Sequence, residues 1–124
     1  MYPGRLLLVA SAMQDVALDR FDMGAWRCRN RCQFAGCSIG WAIELIPEFR
    51  QHGLVLEQQN LCSPWEPHYK NKRGIFAVME FFDLPREDAE CLFMPEWYNP
   101  DHVSPFDVAE RIRNYVKERS NVPG

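Results

Sequence analysis

The chain has 124 residues, 47% of them apolar, 13% aromatic and 25% charged, with a formal net charge of −3 and a pI near 5.6. That length and apolar share suit one domain with a real hydrophobic core, and exclude a disordered, collagen-like or low-complexity chain. The slightly acidic balance argues against a dedicated nucleic-acid binder, which is usually basic.

No segment is apolar for long enough to span a membrane. Residues 6–10 form an apolar run behind Arg5, as a secretory signal would. However, Gln14, Asp15, Asp19 and Arg20 follow quickly at helical spacing, and a signal needs roughly 7–15 apolar residues before a small-residue cleavage site. The five cysteines are Cys28, Cys32, Cys37, Cys62 and Cys91. Their odd number, the lack of a signal peptide and the buried look of the segments around Cys37 and Cys91 imply a reduced, cytoplasmic protein.

In chain order, residues 5–19 read as an amphipathic helix, with Leu8, Ala12 and Val16 on successive turns and Val9, Met13 and Ala17 widening the stripe. Residues 20–26 follow as an aromatic-anchored connection, and residues 27–31 as a basic loop. A central helix is expected over residues 34–46, where Glu44 is the only charge; a helix apolar nearly all round is a buried one. Gly40 within it suggests close packing. Pro47 ends that pattern or begins a short turn through Phe49, with Gly53 as the stop. Residues 54–57 suit a short strand, and residues 58–74 an irregular loop with room for a small hairpin. From Gly74 the pattern is helical again, through Ile75, Val78, Met79 and Phe82. Pro85 stands at a plausible first helical position, with Glu87 and Asp88 in the first turn and Ala89, Leu92 and Phe93 as the apolar face. The last helix has the clearest start: Ser104 as cap, Pro105 next, and Asp107 three residues after the cap. Val108, Ile112 and Val116 then give its stripe, and Arg111, Arg113, Lys117 and Arg119 load its second half with positive charge. The expected fold is mainly α: a single compact bundle of about five helices around a central apolar one, with at most a small two-stranded β ribbon.

Three groups of residues invite chemistry. Cys32, Cys37, Cys62 and His68 are the candidate metal set, since thiolate and imidazole suit zinc. Their spacing lacks the paired short knuckles of a zinc site, and no motif demands a cofactor. Cys32 and Cys37 also suggest a thiol or redox centre, but no histidine stands in a catalytic motif. Arg27, Arg29 and Arg31, flanked by Trp26, precede the central helix and suit an anionic ligand or a nucleic-acid contact. Trp65 and Tyr69 in the long loop complete the candidate binding surface; loop aromatics serve either interfaces or loop anchoring.

The order Phe21-Asp22-Met23, Trp26, Cys32, Cys37, Gly40 and Ala42 resembles a group of small bacterial and phage-borne hypothetical proteins. Phe81-Phe82 with Leu84, Ala89, Leu92-Phe93 with Pro95, and Val108-Ala109 with Arg111-Ile112 extend the resemblance over residues 5–117. Gln33-Phe34 departs from it, because similar chains carry a small Gly-Thr pair there. The resemblance implies a source and a fold but no function; a phage or mobile-element origin favours, from genomic company and not from residues, a protein that works by binding a host protein. The expectation is therefore a non-enzymatic binding protein with a protein partner. A thiol- or zinc-dependent centre and an anion-contacting arginine loop are the alternatives.

Overall fold

A computed structural model describes residues 1–17, 21, 28–30, 33–35, 37–58, 65–94, 98 and 103–120. Among these residues it shows six helices: α1 (Pro3–Ala12), α2 (Ser38–Leu45), α3 (Pro47–Gln51), α4 (Ile75–Phe82), α5 (Arg86–Phe93) and α6 (Pro105–Ser120). Five short strands accompany them: β1 (Cys28–Asn30), β2 (Gln33–Ala35), β3 (Val55–Glu57), β4 (Glu66–Tyr69) and β5 (Lys72–Arg73). The fold is mainly α with a small antiparallel β element. Among the described residues no helix is long and apolar enough to cross a membrane.

α1 begins at Pro3, in the first turn where a missing N–H costs nothing. It tightens into a 3₁₀ turn at Met13–Asp15, and Val16 is extended, so the helix stops well short of residue 19. Its buried stripe is Leu6, Val9, Ala10 and Met13, while Leu7 and Leu8 are exposed. That corrects the stripe expected through Leu8. The continuous apolar run permits more than one stripe, and packing against α6 selects between them.

The central helix is shorter than expected. It starts at Ser38 with Cys37 as its N-cap, because residues 33–35 form β2. β2 pairs antiparallel with β1, setting Cys28 opposite Ala35, Arg29 opposite Phe34 and Asn30 opposite Gln33. Most of the expected basic loop is thus a hairpin strand. Periodicity cannot separate a three-residue apolar strand from the first turn of an apolar helix. Ile39, Ala42 and Ile43 are buried and Trp41 is nearly so, as a central helix requires. The Arg50 guanidinium donates to the carbonyls of Ile43 and Glu44, satisfying acceptors that the helix end leaves open. Pro47 starts the short α3, and Gly53 stops it at φ 99, a left-handed geometry natural to glycine.

The expected irregular loop instead contains two strands of a three-stranded sheet of order β3-β4-β5. Pro67 stands in the middle strand, opposite Leu56, where proline is normally excluded. Its carbonyl accepts from the Gly74 N–H at 2.9 Å, on the β5 side. A residue's N and O point to the same side of a strand. Its missing N–H therefore faces the end of β5, where the chain is already turning into α4, and the β3 ladder loses nothing. Lys70 and Asn71 connect Tyr69 to Lys72, and Lys70 takes φ 56 to make so tight a turn.

α4 carries the aromatic centre of the core. Phe81 is fully buried, with its ring edge-on to Phe49 at 4.9 Å, Tyr69 at 5.1 Å and Phe82 at 5.1 Å. α5 begins at Arg86 with Pro85 as its cap, one position earlier than the first helical place expected for that proline. In α6 the Ser104 N–H donates to Asp107 Oδ2 at 2.8 Å and the Asp107 N–H to Ser104 Oγ at 3.2 Å, a reciprocal capping box. Val108 and Ile112 are fully buried beneath it.

Candidate functional site

α5 and α6 pack against each other, with Ala89, Leu92 and Phe93 of the one and Val108 and Ile112 of the other buried. An open cleft of about 620 Å³ lies along them. Cys91 and Leu92 of α5, Tyr98 and Val103 of the connection, and Asp107, Glu110, Arg111, Asn114, Tyr115 and Glu118 of α6 line it. Positions 107, 111, 114 and 118 follow steps of four, three and four, so they share one helix face.

Two tyrosines fix the walls. Tyr98 is 8% exposed, and its hydroxyl donates to the Leu92 carbonyl at 2.7 Å. The Arg111 guanidinium lies over its ring at 3.8 Å and donates to the Cys91 carbonyl at 3.0 Å. One arginine thereby ties the connection to both helices. The Tyr115 hydroxyl donates to Asp88 Oδ2 at 2.6 Å, and Arg119 reaches the same oxygen at 3.3 Å.

Burial pushes the Tyr98 hydroxyl far above its ordinary pKa of 10.0; Arg111 opposes the shift and Cys91 adds to it. Burial first, and then its hydrogen bond to Asp88, raises Tyr115 as well. Both phenols stay protonated at neutral pH, so neither serves as a base. Asp107 is committed to the α6 cap. Glu110 and Glu118 are exposed, and among the described residues their side chains make no hydrogen bond or ion pair. The carboxylates of Asp107, Glu110 and Glu118 against the single guanidinium of Arg111 make the cleft lining negative.

The residues singled out in the sequence scatter. Trp26, Arg27, Arg31, Cys32 and Cys62 lie outside the described residues. Arg29 is in β1, opposite Phe34 in β2. Trp65 precedes β4 and is half-buried. Tyr69 packs its ring edge-on against Phe81, which makes it an anchor of the sheet on the core. Cys37, the N-cap of α2, is 2% exposed, whereas Cys91 is half-buried rather than buried as expected. His68 Nδ1 stands 3.7 Å from Glu57 Oε2, beside a hollow of about 40 Å³ with Glu66 and Arg73 on its rim. That volume suits about one water. Among the described residues no three His, Cys, Asp or Glu side chains form a group able to hold a metal.

Comparison with protein-family models, with curated proteins and with solved structures finds no match to this chain. A fold alone does not imply a function, so the reading rests on the site's own chemistry. Sequence reasoning missed Arg111, Asn114, Tyr115 and Glu118 as a shared wall. The four-three-four spacing was a usable signal, but a polar stripe on a terminal helix reads first as a solvated face.

Proposed function

We propose that this chain is a small, non-enzymatic binding protein whose α5–α6 cleft receives a basic segment of a protein partner. The observation that carries this reading is the state of the cleft's ionisable groups. Tyr98, Tyr115, Asp107 and Arg111 are each committed to a structural hydrogen bond, while Glu110 and Glu118 stand exposed at the rim. A site of fixed walls and outward carboxylates recognises charge; it does not move protons. A basic segment of the partner would lay its alkyl stems on the apolar lining and set its charges against Glu110 and Glu118. The resemblance to phage-borne proteins supports a host protein as that partner, met in the cytoplasm.

The test uses fluorescently labelled oligo-arginine and oligo-glutamate peptides, read by anisotropy at low and high salt. Oligo-arginine binds preferentially, weakens with added salt, and loses roughly fivefold to tenfold in affinity on Glu118→Lys, the equivalent of about 1 kcal/mol. Equal affinity for the two peptides, or no response to Glu118→Lys, refutes the cleft as the binding surface.

A further inference from the structure

α6 buries Val108, Ile112 and Val116 toward the core, and its sixteen residues make a rod roughly 24 Å long. A second stripe runs along its outer side: Phe106, Glu110, Arg113 and Lys117, all exposed. Phe106, at 68%, is the most exposed large apolar side chain among the described residues. The four positions follow steps of four, three and four, the spacing of a coiled-coil seam. Among the described residues none of these four side chains makes a hydrogen bond, an ion pair or a ring contact. Beside the stripe lies a mostly apolar groove of about 430 Å³, walled by Met13, Val16, Pro105 and Ala109, with Phe106 and Arg113 also in its lining.

We infer that this face binds a second copy of the chain through antiparallel pairing of the two α6 helices. The charge order selects both the occupant and the direction. An isologous interface requires a patch complementary to itself. In antiparallel seam packing about a two-fold axis between positions 111 and 112, Glu110 meets Arg113 of the second copy, and Phe106 meets its Lys117. Symmetry repeats both contacts, giving two ion pairs and two ammonium-on-ring contacts. Parallel pairing would instead set Glu110 against Glu110 and Arg113 against Arg113, which repel. Polar seam positions make such a dimer weak and dependent on salt.

The experiment is sedimentation equilibrium of the full chain over a wide concentration range, at low and high salt. A concentration-dependent dimer that salt weakens is expected. Phe106→Lys, Glu110→Arg and Arg113→Glu each place like charges opposite one another and raise its dissociation constant about tenfold or more, the range of measured interface truncations. The double variant Glu110→Arg with Arg113→Glu restores the dimer, because it exchanges the charges of both pairs. All four positions are exposed, so at concentrations where the parent is itself monomeric the circular dichroism and melting temperature stay close to the parent's, which separates dissociation from unfolding. Glu110 borders both the cleft and this face, whereas Glu118 lies on the cleft side alone; Glu118→Lys therefore leaves the dimer intact, so failure of peptide binding and failure of self-association read out separately. A monomer at every concentration, a dimer indifferent to the single reversals, or a double variant no better than either single one overturns the assignment.

Discussion

Arg111 is the tie that builds the cleft, and Arg111→Met tests that role directly. The substitution keeps a stem of similar length but removes the charge. Among the arginine's contacts, it deletes the charged hydrogen bond to the Cys91 carbonyl and the guanidinium-on-ring contact with Tyr98. A hydrogen bond to a charged donor contributes about 1.5–3 kcal/mol. The ring contact contributes about 0.5–2 kcal/mol. Retained stem packing offsets part of the loss, so a net cost of about 3 kcal/mol is expected. For a chain of this size each kcal/mol moves the melting temperature by roughly 4 °C, which places the variant about 12 °C lower. Urea unfolding gives the free energy and differential scanning calorimetry the midpoint. Arg111→Lys restores the charge without the planar fork and recovers part of the loss. The peptide assay supplies an opposite readout. Removing a cation from a negatively lined cleft strengthens oligo-arginine binding, provided the fold is held at low temperature. A variant within about 0.5 kcal/mol of the parent, the range of ordinary surface substitutions, would show that the tie carries no weight.

Trp41 is 6% exposed in the central helix, so Trp41→Ala costs about 3–5 kcal/mol in chemical unfolding, and a near-native midpoint would disprove its core role. Ser104→Ala removes the α6 cap and costs about 1 kcal/mol; Ser104→Gly, which retains much of the capping preference, costs only a few tenths, and the two are compared by urea midpoint. Tyr98 and Tyr115 both have folded-state pKa values above the unfolded 10.0. Their neutral forms therefore stabilise the fold fully below that pH, and the contribution is lost as pH rises through the folded values. Unfolding free energy falls from about pH 10 upward, followed by urea titrations across alkaline pH, and a Tyr98→Phe, Tyr115→Phe double variant flattens that fall.

The elements that were legible in the sequence are those whose signals are local. The α6 capping box needs only Ser104, Pro105 and Asp107, and the structure shows both reciprocal hydrogen bonds. Gly53 and Pro47 bracket α3 where their backbone preferences place it. The α5 face of Ala89, Leu92 and Phe93 follows from helical spacing alone; in α4 the spacing finds Val78 and Phe82 but misses Ala77 and Phe81, while Ile75 and Met79 are only half-buried. The errors fall where two readings share one local pattern. Residues 33–35 belong to an apolar run that serves equally as strand or helix, and pairing with β1 decides for strand. The run at residues 6–10 offers competing stripes, and contact with α6 decides for Leu6, Val9 and Met13. Pro67 argued for a loop, and a sheet accepts it because the missing N–H faces a strand end.

The cleft shows the same limit more sharply. Arg111 read as one of four basic residues suited to a helix C-terminus. In the fold it lies between Cys91 and Tyr98, twenty and thirteen positions away in sequence. Tyr115 and Asp88, twenty-seven positions apart, meet at 2.6 Å. The sequence by itself determined the helical class, the α6 cap, the breaks at Pro47 and Gly53 and the buried faces of α5 and α6, because each depends on neighbours within one or two turns. Only the tertiary structure decided which polar stripe of α6 lines a cleft and which faces outward, because that depends on where α1 and α5 pack around the helix.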